Sequence, residues 1–352
     1  MIQCTRVKVL HMKSRRIVTT LLFIAASLYL LTRLFIPKYD TDVIEGALVA
    51  EYYAEEKDHD VIFIGDCEVY ANFSPAVLWR DYGISSYIRG SAQQLIWQSY
   101  YLLEDTLYHE QPPVVIFNVL SLMYDQPQRE AYNRMTLEGL RWSPAKVRAI
   151  NASMTENEHF LDYLFPILRY HARWDELTAA DFNHIFLREQ VSHNGLIINT
   201  GIRPAADIPV PRILADYNFG ANALAYMDKL TVLCRAKDIE LILIKAPSLY
   251  PHWYAEWEEQ VLAYAGANGL KYINFLELAD EIGIDFATDT FDGGLHLNLA
   301  GAEKITHYLG EYLLRETALT DRRAEARPAA IWQLKLAAYD AAVAAATEIL
   351  TQ

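Results

Sequence analysis

Beyond residue 58 the chain alternates short apolar runs with longer amphipathic stretches. Val61 to Ile64, Ile84 to Ile88, Pro113 to Leu120, Leu241 to Ala246 and Tyr272 to Phe275 read as five strands. Each is brief, nearly continuous in apolar residues and bounded by polar or turn-forming residues. Helices are expected over about 93 to 109, 218 to 237, 251 to 268 and 299 to 316. Another starts at Ser74-Pro75, an N-cap followed by proline at the first helical position. Strands that are apolar throughout, separated by helices, predict a parallel sheet covered on both faces, an α/β/α arrangement of three layers.

One apolar run is longer than the rest. Residues 17 to 36 are apolar on every helical face and come close to the ~20 residues that cross a bilayer. Arg6, Lys8, Lys13, Arg15 and Arg16 precede it without an acidic residue, while Asp40, Asp42 and Glu45 follow with only Lys38 among them. That asymmetry places the N-terminus in the cytoplasm and the remainder outside. Arg33, near the outer end, can snorkel to the headgroups. A cleaved signal peptide is the competing reading. Against it, the run exceeds the usual ~7–15 residues, and Ala25-Ala26-Ser27 falls in its middle rather than at its end.

The expected organisation is therefore a basic cytoplasmic tail over 1–16, a signal-anchor helix over 17–36 and a stalk over 37–57 with a polar helix from about 41 to 56. An extracytoplasmic domain follows over 58–316, then a charged hinge and an Ala-rich C-terminal helix over 317–352. Within the domain, the interval from about 121 to 217 is too long for a crossover and carries Tyr124, Tyr132, Trp142, Phe160 and Trp174 among other aromatics. It reads as a helical insertion. Its place after a strand's carboxyl end makes it a lid or acceptor platform, or else the aromatics form its own core.

The composition, 352 residues with 52% hydrophobic and 22% charged, permits one large domain or two small ones. The formal net charge is −14, and the basic residues gathered at the N-terminus leave the remainder more negative still. Nucleic acid and anionic lipid are thereby disfavoured as partners of that part. Of the three cysteines, Cys4 is on the cytoplasmic side, Cys234 falls on an apolar helical position and Cys67 remains as a free thiol. His171, His252 and His307 are scattered without zinc spacing, and no Gly-rich phosphate loop is present, so neither metal nor cofactor is expected.

The chemistry concentrates in two segments about 225 residues apart. Val61-Ile62-Phe63-Ile64-Gly65-Asp66-Cys67-Glu68 is a strand ending in a Gly-Asp turn and a thiol. Asp292-Gly293-Gly294-Leu295-His296-Leu297-Asn298 offers a carboxylate and an imidazole. Cys67 is thus a candidate nucleophile, His296 its base and Asp292 the group that fixes the imidazole tautomer. A neighbouring imidazolium would lower the thiol pKa. The alternative is a small filler in a site without chemistry. Asn298 is better read as the cap of the last helix. Glu68 and Lys245 fall near strand ends without an assignable role, although a carboxylate at Glu68 would raise the thiol pKa.

These segments resemble the SGNH/GDSL hydrolase superfamily, whose first block is Gly-Asp-Ser after the first strand and whose last is Asp-x-x-His before the final helix. Gly65, Asp66 and Cys67 match the first block with cysteine in the serine position. Asp292 and His296 match the last with one extra residue between them, which leaves Asp289 as an alternative partner of His296. The resemblance spans roughly residues 58 to 315 and implies a flavodoxin-like fold. It also implies an oxyanion hole made by the Cys67 N–H, Gly90 and Asn118. The layout is similar to that of membrane-anchored members that place acyl groups on bacterial envelope polymers. That likeness implies a surface esterase or O-acyltransferase acting on envelope carbohydrate, with a multi-pass membrane acyltransferase as partner. A non-catalytic envelope protein that uses the same fold to hold a glycan or a membrane partner is the alternative.

Overall fold

The computed structural model describes residues 2–36, 46–186 and 190–351, which divide into two compact units. One is Gly46–Glu156 with Gln190–Gln352, and the other is Met1–Glu45 with Asn157–Glu189.

The larger unit is built on a five-stranded sheet: β1 (Val61–Gly65), β2 (Ser86–Gly90), β3 (Val114–Asn118), β4 (Glu240–Lys245) and β5 (Lys271–Asn274). All neighbours are parallel and the order is β2-β1-β3-β4-β5, the doubly wound order of flavodoxin-like folds. The residues of β1, β2 and β3 are buried throughout. That explains why β1 and β3 read as nearly unbroken apolar runs: with helices on both faces, neither side of the pleat meets water.

The predicted elements recur with shifted ends, and the shifts have local causes. β2 begins two residues late because the Ile84 N–H closes the preceding helix onto the Leu78 carbonyl. The Ser85 side chain and N–H, meanwhile, are tied to Asp60. β3 stops at Asn118 because Val119–Met123 coils into a 3-10 turn. The helix expected from residue 93 starts at Ile96, because Gln93 takes a left-handed φ of 48° and the Gln98 side chain accepts from the Leu95 N–H. The start at Ser74-Pro75 is as expected, with the Ser74 hydroxyl accepting from the Val77 N–H.

The long interval after β3 is shared between the two units. Helices Glu130–Leu137 and Pro144–Ser153 belong to the sheet-bearing unit, and Met135, Leu137, Ala145, Ala149 and Ile150 are buried there. Only Asn157–Glu189 separates into the other unit. Past residue 190 the chain seals the edge strand: the Ile88 N–H donates to the Asn194 carbonyl, and the Asn194 amide to the Ser86 carbonyl. Gly195 is required there, because its φ is +89° and a Cβ would lie 2.2 Å from the Ile88 carbonyl oxygen. An edge strand covered in this way offers no template for association.

The expected hinge is pinned rather than free, since Arg322 pairs with Asp58 and Asp60 at 2.8 and 2.9 Å. The C-terminal helix Ala326–Thr351 then returns to the fold, with Trp332 stacked on Trp79 at 5.4 Å. In the smaller unit, tail and apolar run form one continuous helix, Ile2–Phe35. The stalk helix expected from about residue 41 lies partly outside the described residues. What is described of it is Ala47–Glu51 and the turn Tyr52–Ala54.

Beneath β2, Arg89 is fully buried against Asp105, with both terminal nitrogens 3.0 Å from one carboxylate oxygen and the guanidinium 4.1 Å from the Tyr52 ring centroid. Removing one partner strands a buried charge. Asp105→Ala is therefore expected to cost about 3–5 kcal/mol, measured by denaturant unfolding of the full chain in detergent.

Candidate active site

The site forms at the carboxyl edge of the sheet. β1 ends at Gly65, and Asp66 caps the helix Cys67–Asn72 by accepting from the Glu68 N–H at 3.1 Å. Cys67 is thus the first residue of a helix, and its N–H has no acceptor within that helix. Gly65 stands beside Gly90 at the end of β2. Both positions need glycine. A Cβ on Gly65 would meet the Asn118 Cβ at 2.9 Å, and one on Gly90 would meet Val69 Cγ2 at 2.6 Å.

The second segment closes on the first. Asp292 accepts twice from His296, from Nδ1 at 2.6 Å and from the backbone N–H at 2.8 Å. The alternative partner is excluded: Asp289 is held instead by Lys304 at 2.6 Å and by the Asp285 N–H at 2.7 Å. The loop between Asp292 and His296 turns on Gly293 and Gly294, whose φ angles are +87° and +100°. The Thr290 hydroxyl braces it, donating to the His296 carbonyl and accepting from the Gly294 N–H. Phe291 stacks on the imidazole at 5.8 Å and 11°.

His296 Nε2 is buried and makes no hydrogen bond of regular geometry, although the Cys67 thiol is near enough to pair with the imidazole. The imidazole and the half-buried Cys67 thiol perturb each other directly. The resulting proton balance differs from the expected one. Burial pushes the thiol pKa up, the imidazole pulls it back, and Asp66 and Glu68 push it up again, leaving it above its ordinary value. Burial would lower the His296 pKa, but Cys67 and Asp292 outweigh it and raise the imidazole well above its usual range. The two groups are thus shifted together, and Asp292 holds the imidazole through Nδ1 beside the thiol.

Asn118 is corrected by the structure. Its amide donates to Asp66 at 3.0 Å and to Glu68 at 2.7 Å, and its carbonyl oxygen accepts from the Ala246 N–H at 3.2 Å. Both amide hydrogens are committed, so Asn118 is no free oxyanion donor here. It belongs to a fully buried network that also takes in Glu68 and Lys245, which are paired at 3.0 Å. Lys245 Nζ further donates to the Ala246 carbonyl at 2.6 Å and to the Ser248 hydroxyl at 2.9 Å. Ser248 in turn donates to Glu68. Within this crowd of carboxylates, burial and the Glu68 charge raise the Asp66 pKa to about 7.

Sequence reasoning missed Asn72 and Thr290. Asn72, at the end of the Cys67 helix, accepts from the Leu297 N–H at 2.9 Å and so ties that helix to the loop that carries His296. Its only sequence signal is a polar residue one turn past the thiol. Tyr70, Tyr124 and Tyr132 lie within electrostatic reach of the thiol or of one another. Of the aromatics in the interval after β3, Tyr124 is thus within electrostatic reach of Cys67. Asn298 caps the last helix through the Gly301 N–H, as expected, while Cys234 is buried and its thiol pushed up to about 12.

No family model matches the chain, and neither does any curated protein. Among solved structures, a protein proposed to be an acylhydrolase from Bacteroides fragilis NCTC 9343 is similar with TM-score 0.39 and 11% identity, over 76% of this chain and 94% of that one. A proposed lipolytic protein of the G-D-S-L family from Desulfitobacterium hafniense DCB-2 is similar with TM-score 0.37 and 12% identity, over 72% of this chain and 99% of that one. Both likenesses are loose, and neither carries a reaction over to this chain.

Because the thiol pKa is raised, alkylation of Cys67 by iodoacetamide is expected to climb about tenfold per pH unit from about pH 6 to 9. A plateau near neutrality, followed peptide by peptide in the mass spectrometer, would mean a preformed thiolate instead. Lys245→Met should cost about 3–5 kcal/mol by stranding the Glu68 charge, and adding Glu68→Gln should restore much of it. Denaturant midpoints of the three proteins decide this.

Proposed function

We propose that the protein is a membrane-anchored, extracytoplasmic acyl esterase or O-acyltransferase working through Cys67, His296 and Asp292 on a cell-envelope polymer. The observation that carries this reading is the alignment of Asp292 on His296 Nδ1 at 2.6 Å, which leaves Nε2 unpartnered for the Cys67 thiol. The anchor is the apolar stretch of Lys13–Phe35, whose 23 residues span about 34 Å at 1.5 Å per residue, against about 30 Å of hydrocarbon.

In this mechanism His296 Nε2 takes the thiol proton as Cys67 Sγ attacks the carbonyl carbon of an acyl ester. The oxyanion is met by the Cys67 N–H and by Gly90, where losing one preorganised donor typically costs roughly 2.7–4 kcal/mol. The ester's alkoxide leaves with the proton from the imidazolium, and a thioester remains. A carbohydrate hydroxyl, or water, then gives its proton to His296 and attacks the thioester, and the thiolate departs and is reprotonated. A multi-pass membrane acyltransferase is the proposed source of the acyl group.

A second reading, a non-catalytic envelope protein that holds a glycan or a membrane partner on this fold, is favoured by two observations. The Asn118 amide is committed, and burial with Asp66 and Glu68 raises the thiol pKa.

The deciding experiment follows acylation of the full chain in detergent by short-chain p-nitrophenyl esters, using intact-mass spectrometry. A covalent adduct should form on the parent and be absent from Cys67→Ala. His296→Ala should slow its formation by roughly 10²–10⁴-fold, the usual contribution of a positioned general base. A folded parent that gives no adduct at any pH tested shifts the reading to the binding protein.

A further inference from the structure

The smaller unit contains, besides the long helix, three short helices, Phe160–Leu164, Ile167–Tyr170 and Ala179–Phe186. Their apolar residues are arranged unlike those of a soluble helical bundle. Tyr163 and Tyr170 are buried, whereas Leu161 and Leu164 on the first helix, Phe165 at its end and Leu168 on the second are exposed. Phe182 and Phe186, four apart, are exposed as well, Phe186 by 81%. Side chains of this size left bare on neighbouring helices mark a surface that something covers.

The same segment packs on the apolar helix Ile2–Phe35, through Ile167–Tyr170, the turn His171–Asp175 and Ala179–Phe186. Its depth along that helix is fixed by one bond. Arg173 Nη1 donates to the Phe35 carbonyl at 2.7 Å, placing a cation at the negative end of the helix dipole. The guanidinium is held there by Glu176 at 3.3 Å and Asp181 at 3.5 Å. Trp174, beside it, is 72% exposed. An Arg and a bare Trp at the outer end of an apolar helix are the composition of the membrane–water boundary, where amphipathic rings collect. The 18-residue apolar stretch of the long helix has no buried residue, so the helix and the segment packed on it both present bare apolar side chains.

From this arrangement we propose that residues 160–186 lie in the outer interface of the bilayer beside the anchor helix. The exposed apolar side chains from Leu161 to Leu168, together with Phe182 and Phe186, are seated among lipid acyl chains. The inference rests on the anchor reading, since the anchor sets the level at which Arg173 and Trp174 sit. The contact is apolar and does not call for an acidic headgroup.

Purified full-length protein in phosphatidylcholine nanodiscs, doped with a lipid carrying a diazirine on its acyl chain, is irradiated and mapped by peptide mass spectrometry. Adducts are expected on peptides from 17–35 and also from 160–186. In Leu164→Gln/Leu168→Gln those on 160–170 should be lost while those on 17–35 persist. Adducts on 17–35 alone would overturn the lipid seat while leaving the anchor intact, and would leave a protein partner as the occupant. Adducts on neither, or on 160–186 without 17–35, would remove the anchor reading and this proposal with it.

Discussion

The ion pair between Glu68 and Lys245, fully buried at 3.0 Å, is the interaction on which the site depends. Withdrawing two charges from water costs several kcal/mol per ion, and their attraction offsets this only when the remaining polar atoms are satisfied. Here they are. Lys245 spends its protons on Glu68, the Ala246 carbonyl and Ser248, while Glu68 also receives Asn118 and Ser248. The network thereby joins the helix after β1 to the ends of β3 and β4. It sets where that helix begins, and so where the Cys67 N–H and thiol stand relative to the sheet edge. It also acts against the nucleophile, because the Glu68 and Asp66 charges raise the thiol pKa. Holding the turn rigid and easing ionisation are opposed demands at this position.

Much of the fold was legible because a parallel sheet covered on both faces leaves strands no polar side, so β1, β3 and β4 appear as apolar runs whatever their neighbours. Gly65, Asp66, Cys67 and His296 were legible because a tight turn and a reactive side chain at strand and helix ends are local features. The partner of His296 was not. Asp289 and Asp292 are both close in sequence, and only the turn at Gly293 and Gly294 and the capture of Asp289 by Lys304 separate them. Asn118 was misread for a related reason. Its amide is committed to Glu68, which is in turn held by Lys245, 177 positions further along, and nothing in the local pattern of either residue announces that partnership. The helices Glu130–Leu137 and Pro144–Ser153 were assigned to an insertion because apolar spacing reports that a face is buried and not what buries it.

On the proposed catalytic reading, a cysteine at the turn after β1 sets what the rest of the site must supply. A hydroxyl needs its base to remove a proton it holds tightly, while a thiol can lose its proton ahead of the substrate if the surroundings favour the thiolate. These surroundings work against it, since burial and two carboxylates raise the thiol pKa although the imidazole lowers it. Yet His296 is raised as well, through Asp292 and through the thiolate it would face. The two charges therefore favour appearing together: the imidazolium stabilises the thiolate and the thiolate the imidazolium. Such a pair forms most readily when a carbonyl is present to accept the sulfur electrons as the proton moves. The geometry thus suits a thiol used as serine is used, with proton transfer coupled to attack. An inert filler would have no need of a carboxylate held at 2.6 Å from the imidazole, nor of Asn72 and Thr290 holding the two segments in register.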